Sequence, residues 1–206
     1  AASDVYKTQI QFIPQEKRRQ RIASETLEIY APLAGRLGMH EFKDELEDLS
    51  FQILNPSAYS SLMTRIEYLK KDKSNLTDKI KTRIFSLLEK NEIDCQIIGR
   101  EKKIFSVWNK MQNKQIAFRQ LSDIFAYRII TNSIEDCYSI LGIIHNRWSA
   151  VPGSFKDYIS TPKINNYQSI HTTIVGPERQ RVELQIRTNE MNTIADKGIA
   201  AHWSYK

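Results

Sequence analysis

Residues 124–130 read IFAYRII, an apolar and aromatic run that is interrupted only by Arg128. A run of β-branched and aromatic side chains is typical of a strand buried in a sheet. Similar runs predict strands at residues 95–98, 170–175 and 182–186, and helical patterns lie between and after them at residues 104–111, 134–148 and 190–203. This alternation predicts an α/β domain with a mostly covered sheet.

The first half of the chain has the spacing of amphipathic helices. Apolar residues recur three and four positions apart over residues 16–37, 42–54 and 57–88, and each stretch predicts one helix. Pro32 predicts a kink or a break in the first helix, and Asn55-Pro56 predicts the end of the second. We therefore expect a helical lead-in over residues 1–55 and a second domain over residues 56–206.

Composition narrows the class of protein. The chain has 206 residues, 41% of them hydrophobic, and a net charge of +6. It has neither a membrane-length apolar run nor a signal segment, which favours a cytoplasmic protein without a membrane partner. The basic charge attracts phosphates without distinguishing nucleotides from nucleic acid. Cys95 and Cys137 lie far apart in apolar segments, which predicts buried free thiols and no zinc site.

A first polar constellation lies in residues 99–110, GREKKIFSVWNK, where a predicted strand meets a predicted helix. Lys102, Ser106 and Lys110 are four residues apart and are expected to share one helix face. Two ammonium groups, a hydroxyl and the free amides of a helix start suit a polyphosphate. A solvated basic helix face explains the same spacing. Neither common phosphate loop, GxxxxGK or GxGxxG, is present.

A second constellation is a pair of acids at predicted strands. Asp123 precedes the strand at residues 124–130, and Glu183 lies within another. Burying a carboxylate is unfavourable unless it is paired or holds a metal, and two on neighbouring strands suit Mg²⁺. Gln185 and Arg187 alternate onto the same face as Glu183. A salt-bridged, exposed sheet face remains the alternative for each residue taken singly.

Two other stretches carry polar groups. Residues 152–158 and 161–171 read PGSFKDY and TPKINNYQSIH, whose aromatics and lysines suit nucleotides, single-stranded RNA or a plain surface turn. Residues 40–44, HEFKD, are similar to the zinc-protease helix motif HExxH, but Asp44 stands in place of the second His. We therefore exclude a zinc protease.

Four motifs in chain order resemble the synthetase domain of the RelA/SpoT family, whose members make guanosine tetra- and pentaphosphate. They are Gly99-Arg100-x-Lys102-x-x-x-Ser106, FKDYI at 155–159, NYQSIHT at 166–172 and ELQIRT at 183–188. Residues 200–206 resemble the end of that domain, and residues 28–38 and 45–48 resemble its joint with the family's hydrolase domain. The resemblance implies a nucleotidyltransferase-like mixed sheet flanked by helices, α/β (α+β) in class, preceded by a helical extension.

The resemblance also implies a reaction and its ATP-binding residues. The β,γ-diphosphate of ATP would pass to the 3′-hydroxyl of GDP or GTP, releasing AMP, in stringent-response signalling. Arg100 and Arg128 would sandwich the adenine, for which planar guanidinium groups are suited. The ATP phosphates would be held by Lys102, Ser106 and Lys110.

The same resemblance assigns the metal and the acceptor. Asp123 would hold Mg²⁺, and Glu183 would share that metal or accept the proton of the attacking hydroxyl. Tyr167 would stack on guanine, and Asn192 would read the base by hydrogen bonding. The acceptor phosphates and their loop would be lined by Lys156, Lys163, His171, Gln185 and Arg187.

Two departures from the family pattern limit these expectations. Ser154 stands where the bifunctional members usually carry Arg, although Lys156 keeps the lysine-type pattern; the preference between GDP and GTP stays open. The chain contains no His-Asp dipeptide, the metal motif of the hydrolase domain, so we expect no alarmone hydrolysis. The alternative function is an inactive regulatory domain that binds guanine nucleotides. An RNA-binding domain is favoured less than either. The sequence leaves open whether the chain forms a homo-oligomer.

Overall fold

The lead-in is helical, as predicted. The computed structural model describes residues 13–72, 74–100, 103–115 and 125–197. Helix α1 spans Glu16–Glu25, a single wide π-helical turn follows at Thr26–Tyr30, and α2 spans Ala31–Arg36. Pro32 is the second residue of α2. Because proline lacks an N–H and crowds the preceding turn, the kink predicted there takes the form of this widened turn.

Three more helices precede the sheet. Helix α3 spans His40–Leu54, α4 spans Pro56–Asp72 and α5 spans Ser74–Glu89. The helical pattern predicted over residues 57–88 is confirmed on both sides of Lys73, which lies outside the described residues.

Five strands form one mixed sheet in the order β1-β2-β5-β4-β3. The strands are β1 Cys95–Gly99, β2 Phe125–Thr131, β3 Lys156–Asp157, β4 Ile170–Val175 and β5 Arg181–Thr188. Strands β2 and β5 are parallel, and the other neighbours are antiparallel. The predicted mixed sheet flanked by helices is confirmed. Strand β3 is missing from the prediction because two polar residues carry no detectable periodicity.

The remaining helices are α6 Ile104–Lys114, α7 Ile134–Arg147 and α8 Asn189–Lys197. Ser133 is the N-cap residue of helix α7: the backbone N–H of Asp136 donates to its Oγ at 3.0 Å. Within the described ranges, no helix combines the length and the apolar character that a membrane span requires.

One face of the sheet forms the main hydrophobic core. Helices α5 and α7 cover it with Ile80, Ile84, Leu88, Cys137, Ile140 and Ile144, all fully buried. Burial raises the pKa of the Cys137 thiol to about 11, which agrees with an inert buried thiol. The other cysteine, Cys95, is half-buried and also free. Because this face is apolar, the polar residues of the same strands lie on the opposite face.

A second core joins helix α3 to helices α4 and α6. Phe51 of α3 and Leu62 of α4 pack with Ile104 and Val107 of α6. Helix α3 also packs against α8. Helix α3 is thus held against α6 and α8, two helices that flank the sheet.

Candidate functional site

A row of polar side chains crosses the second face of the sheet. Arg128 on β2 pairs with Gln185 on β5, which pairs with His171 on β4, which pairs with Lys156 on β3. Glu183, Gln185 and Arg187 alternate with core residues of β5, so their predicted common face is confirmed.

A cavity of about 470 Å³ lies over this polar face, between the sheet, α3 and α8. Among its charged lining residues, cationic and acidic side chains are nearly equal in number. Seven residues singled out from the sequence are among them: Arg100, Arg128, Lys163, Tyr167, His171, Gln185 and Arg187. The structure therefore brings together groups that are more than eighty residues apart in the chain.

Other predicted residues lie outside that lining. Ser106 is exposed on α6 and shares the helix with Lys110, while Lys156, Glu183 and Asn192 lie beside the cavity on β3, β5 and α8. Lys102 and Asp123 lie outside the described residues.

Two arginines of the site are paired with acids. Nη1 of Arg100 lies 3.4 Å from Oε1 of Glu183, and Nη1 of Arg128 lies 3.4 Å from Oδ1 of Asp196. Asn192 donates from Nδ2 to the other oxygen of Asp196 at 2.9 Å. These pairs orient the guanidinium groups while leaving their planar faces uncommitted to hydrogen bonds.

The loop before β4 carries an aromatic cluster. Tyr167 is 8% exposed, and its hydroxyl lies 2.8 Å from Nε2 of His171. Nζ of Lys163 lies 5.1 Å from the centroid of the Tyr167 ring and 4.6 Å from that of Tyr158. Asn166, just before Tyr167, has a φ of 59°, a left-handed conformation that asparagine adopts more readily than most residues. The turn so formed fixes the orientation of Tyr167.

Burial shifts the titration of two groups in the cavity. It lowers the pKa of His171 to about 4, opposed by the nearby carboxylate of Glu183, so the imidazole is neutral near pH 7. It lowers the pKa of Arg187 to about 10, and Arg128 adds to this effect. Arg187 is still cationic near pH 7. The cavity thus presents fixed cations beside an uncharged imidazole.

Sequence reasoning missed the contribution of α3. His40, Glu41, Asp44 and Glu45 all line the cavity. The His40 ring meets the ring of Tyr167 edge-on, with 5.4 Å between centroids. In the sequence, residues 40–44 stood out only as an incomplete zinc-protease motif, and their acidic helix face by itself also describes a solvated helix.

Asn165 ties the lead-in to the aromatic loop. Its Nδ2 donates to the backbone carbonyl of Gly35 at 3.3 Å and lies 3.4 Å from Nε2 of His40. Burial, followed by Lys163, lowers the pKa of His40. A neutral His40 can accept this hydrogen bond.

The start of α6 differs from the expectation drawn from residues 99–110. The helix begins at Ile104, and the backbone N–H of Phe105 donates to Oδ1 of Asp48 at 2.7 Å. A carboxylate of α3 therefore occupies one of the amides that were expected to be free for a polyphosphate. Burial raises the pKa of Asp48, and its backbone hydrogen bonds oppose this shift.

Comparison with known proteins identifies the family. Residues 99–206 match the family described as "Region found in RelA / SpoT proteins". The chain belongs to the RelA/SpoT family. Its sequence is 52% identical over 194 residues to the GTP pyrophosphokinase rsh of Brucella melitensis, a match that covers 94% of this chain and 26% of that protein.

Other relatives agree. The chain is 44% identical over 189 residues to the bifunctional (p)ppGpp synthase/hydrolase SpoT of Escherichia coli, with 92% of this chain and 27% of that protein covered. The chain thus spans about a quarter of the length of these RelA/SpoT relatives. In fold, it matches a GTP pyrophosphokinase family protein from Streptococcus pneumoniae with a TM-score of 0.51 and 24% identity, covering 68% of this chain and 76% of that one.

The described residues of this RelA/SpoT chain offer few groups that could hold a metal ion. Among the described residues, no three histidines, cysteines or carboxylates are grouped to hold an ion. Glu183 offers carboxylate oxygens, the ligand type that Mg²⁺ prefers, and bound phosphates supply others in enzymes of nucleotides. This donor chemistry fits Mg²⁺ held jointly by protein and substrate.

Proposed function

We propose that this chain transfers the β,γ-diphosphate of ATP to the 3′-hydroxyl of GDP or GTP and releases AMP. The observation that carries the proposal is the cavity on the polar face of the sheet, where arginines and lysines of the sheet and its loops, several of them in the RelA/SpoT motifs, face the acids of α3 and α8. The name GTP pyrophosphokinase for relatives about half identical to this chain supports the reaction.

The bonds of the reaction balance without a further reactant. The 3′-oxygen of the acceptor forms a bond to the β-phosphorus of ATP, and the bond from that phosphorus to the oxygen of AMP breaks. AMP leaves with the electron pair, and the hydroxyl proton passes to a base. Mg²⁺, held by Asp123 and Glu183 with the phosphates, would neutralise charge on the transferred group. The carboxylate of Glu183 would either bind this Mg²⁺ or accept the proton of the 3′-hydroxyl.

We assign the ATP side to residues at the β1 and β2 edge. Arg100 and Arg128 would hold the adenine between their planar groups, and both line the cavity in the described structure. Their pairing with Glu183 and Asp196 restrains them before ATP arrives. The ATP phosphates are assigned to Lys102, Ser106 and Lys110.

We assign the acceptor side to the β4 and β5 edge. Tyr167 would stack on the guanine, and Asn192 would hydrogen-bond to the base. The remaining acceptor residues are proposed to be Lys156, Lys163, His171, Gln185 and Arg187. The exposure of Lys156 and Lys163 suits the hydrated phosphates, whereas the buried Tyr167 suits the base.

We also propose that residues 56–206 form the catalytic domain and residues 1–55 a helical lead-in, whose helix α3 closes one side of the cavity. The location we propose is the cytoplasm, with ATP and GDP or GTP as partners and neither a membrane nor a nucleic acid.

The test is direct. The chain is incubated with radiolabelled ATP, Mg²⁺ and GDP or GTP, and the products are separated by thin-layer chromatography. A more highly phosphorylated guanosine species that forms together with AMP is expected, and it would disappear on chelation of the metal and in Asp123→Ala. Absence of product, with GDP binding still measurable by calorimetry, would replace the synthetase with the regulatory guanine-nucleotide-binding domain.

A further inference from the structure

Arg187 is an unusual residue for the floor of a cavity. Its side chain is 1% exposed, and it lines the cavity. Its Nε and Nη2 atoms are buried, and no atom of the described residues accepts a hydrogen bond from either of them. A guanidinium group stays protonated in proteins, so the chain cannot relieve this cost by losing the charge. Two buried donors without acceptors point to a ligand that provides the two missing acceptor atoms.

The two unpaired atoms lie on one edge of the guanidinium. Nε and Nη2 donate in parallel, a geometry that matches a ligand with two acceptor atoms side by side. A phosphate presents such a pair, and so does guanine at O6 and N7. Adenine does not, because its N6 amino group would place a donor against the donor of Arg187.

The surroundings of Arg187 favour the base. Tyr167, 8% exposed, lines the same cavity as Arg187, and it is the side chain assigned to guanine stacking. The lysines available to phosphates, Lys156 and Lys163, are exposed. Burying a hydrated polyphosphate is more unfavourable than burying a planar base, whose faces are apolar.

We propose that Arg187 determines the base specificity of the acceptor site, donating from Nε and Nη2 to O6 and N7 of guanine and thereby rejecting adenine. This inference rests on the proposed binding of GDP or GTP in this cavity. It assigns to Arg187 the recognition of the base in place of the acceptor phosphates.

The decisive probe is 7-deaza-GDP, which lacks only the N7 acceptor. Calorimetry is done on the whole chain with Mg²⁺ and a saturating non-hydrolysable ATP analogue, so that the donor site is filled. The wild type is expected to bind 7-deaza-GDP about tenfold more weakly than GDP. IDP keeps O6 and N7 and loses only the 2-amino group, so it is the matched control. The ratio of the affinities for GDP and IDP should be the same in the wild type and in a variant that lacks Arg187.

Two variants complete the test. Arg187→Met should bind GDP and 7-deaza-GDP equally. Arg187→Gln should raise the affinity for ADP relative to GDP, because glutamine can pair with N6 and N7 of adenine. Circular dichroism checks folding, and Arg187→Met is expected to fold at least as stably as the wild type without nucleotide, because it removes an unpaired buried charge.

The outcomes distinguish a failure of the base-recognition role of Arg187 from a failure of the proposed function. Equal binding of GDP and 7-deaza-GDP by the wild type overturns the inference, and this comparison needs no variant. If Arg187→Met weakens both nucleotides equally and leaves guanosine unaffected, Arg187 holds phosphate and the inference is also wrong. If the wild type binds no GDP at all, the proposed function fails instead.

Discussion

The hydroxyl of Tyr167 lies 2.8 Å from Nε2 of His171, four residues further along the chain. The contact joins the loop before β4 to the strand itself, at the position where β4 faces Gln185 of β5. Because burial keeps His171 neutral near pH 7, its Nε2 can accept the hydrogen bond from Tyr167. Protonation of His171 would replace that acceptor with a donor and place a charge beside Lys163.

The first prediction concerns pH. The pKa of His171 falls from its ordinary 6.5 to about 4 on folding, so the unfolded chain binds more protons in this interval. The free energy of unfolding contributed by His171 is therefore intact above pH 6.5 and is lost progressively as the pH falls toward 4. The expected loss is roughly 3 kcal/mol.

Urea denaturation of the wild type and of His171→Gln at several pH values tests this. The variant should lose less stability over the same interval, while His40 and His145, whose pKa values are also lowered, contribute to both proteins. Parallel curves for the two proteins would show that His171 is not the group responsible. Titration of the His171 ring protons by NMR gives the pKa directly.

The second prediction concerns the ring of Tyr167. Tyr167→Ala is expected to weaken GDP binding by tenfold or more, because stacking of a base on an aromatic ring contributes about 1 to 3 kcal/mol. Binding of a non-hydrolysable ATP analogue should be nearly unchanged. Tyr167→Phe is the matched control, since it keeps the ring and loses only the hydrogen bond to His171. Calorimetry that gave equal losses for both nucleotides would contradict the stacking role.

The third prediction concerns the contact between α3 and α6. Asp48→Ala removes the carboxylate that caps α6 at Phe105 and should lower the free energy of unfolding by about 1 kcal/mol. Asp48→Asn keeps an oxygen acceptor and should lose much less. Urea denaturation at pH 7 measures both. A full loss in Asp48→Asn would mean that the charge, and not the hydrogen bond, stabilises the helix.

The local elements of this fold could be predicted because their signals lie within short stretches. The alternation of Glu183, Gln185 and Arg187 with apolar neighbours predicted both a strand and the face of the sheet that carries the polar residues. The wide turn before Pro32 also has a local cause. Strand β3, by contrast, exists only because Lys156 and Asp157 pair with β4, and nothing within the segment indicates this.

The position of α3 could not be predicted for the same reason. Gly35 and Asn165 are hydrogen-bonded across 130 residues of sequence. Packing of Phe51 against α6 decides that the polar residues of α3 face the cavity, and that packing depends on the whole tertiary structure. A residue such as His40 therefore has no feature in the sequence that separates a cavity wall from a solvated helix.

The last prediction concerns the pair of Arg100 and Glu183. Glu183→Gln keeps the size of the side chain and an oxygen that can still accept from Nη1 of Arg100. It removes the negative charge that would hold Mg²⁺ or accept the hydroxyl proton. Turnover is expected to fall by at least about 100-fold, while binding of GDP and of an ATP analogue changes by less than about threefold.

The matched control is Glu178→Gln, an exposed carboxylate just before β5 that pairs with Arg83 and lies outside the cavity lining. Its turnover should equal that of the wild type. Initial rates of AMP formation at saturating nucleotide and varied Mg²⁺ separate the two roles of Glu183, because a lost metal ligand is partly compensated by more Mg²⁺ and a lost base is not. Normal turnover in Glu183→Gln would exclude both roles.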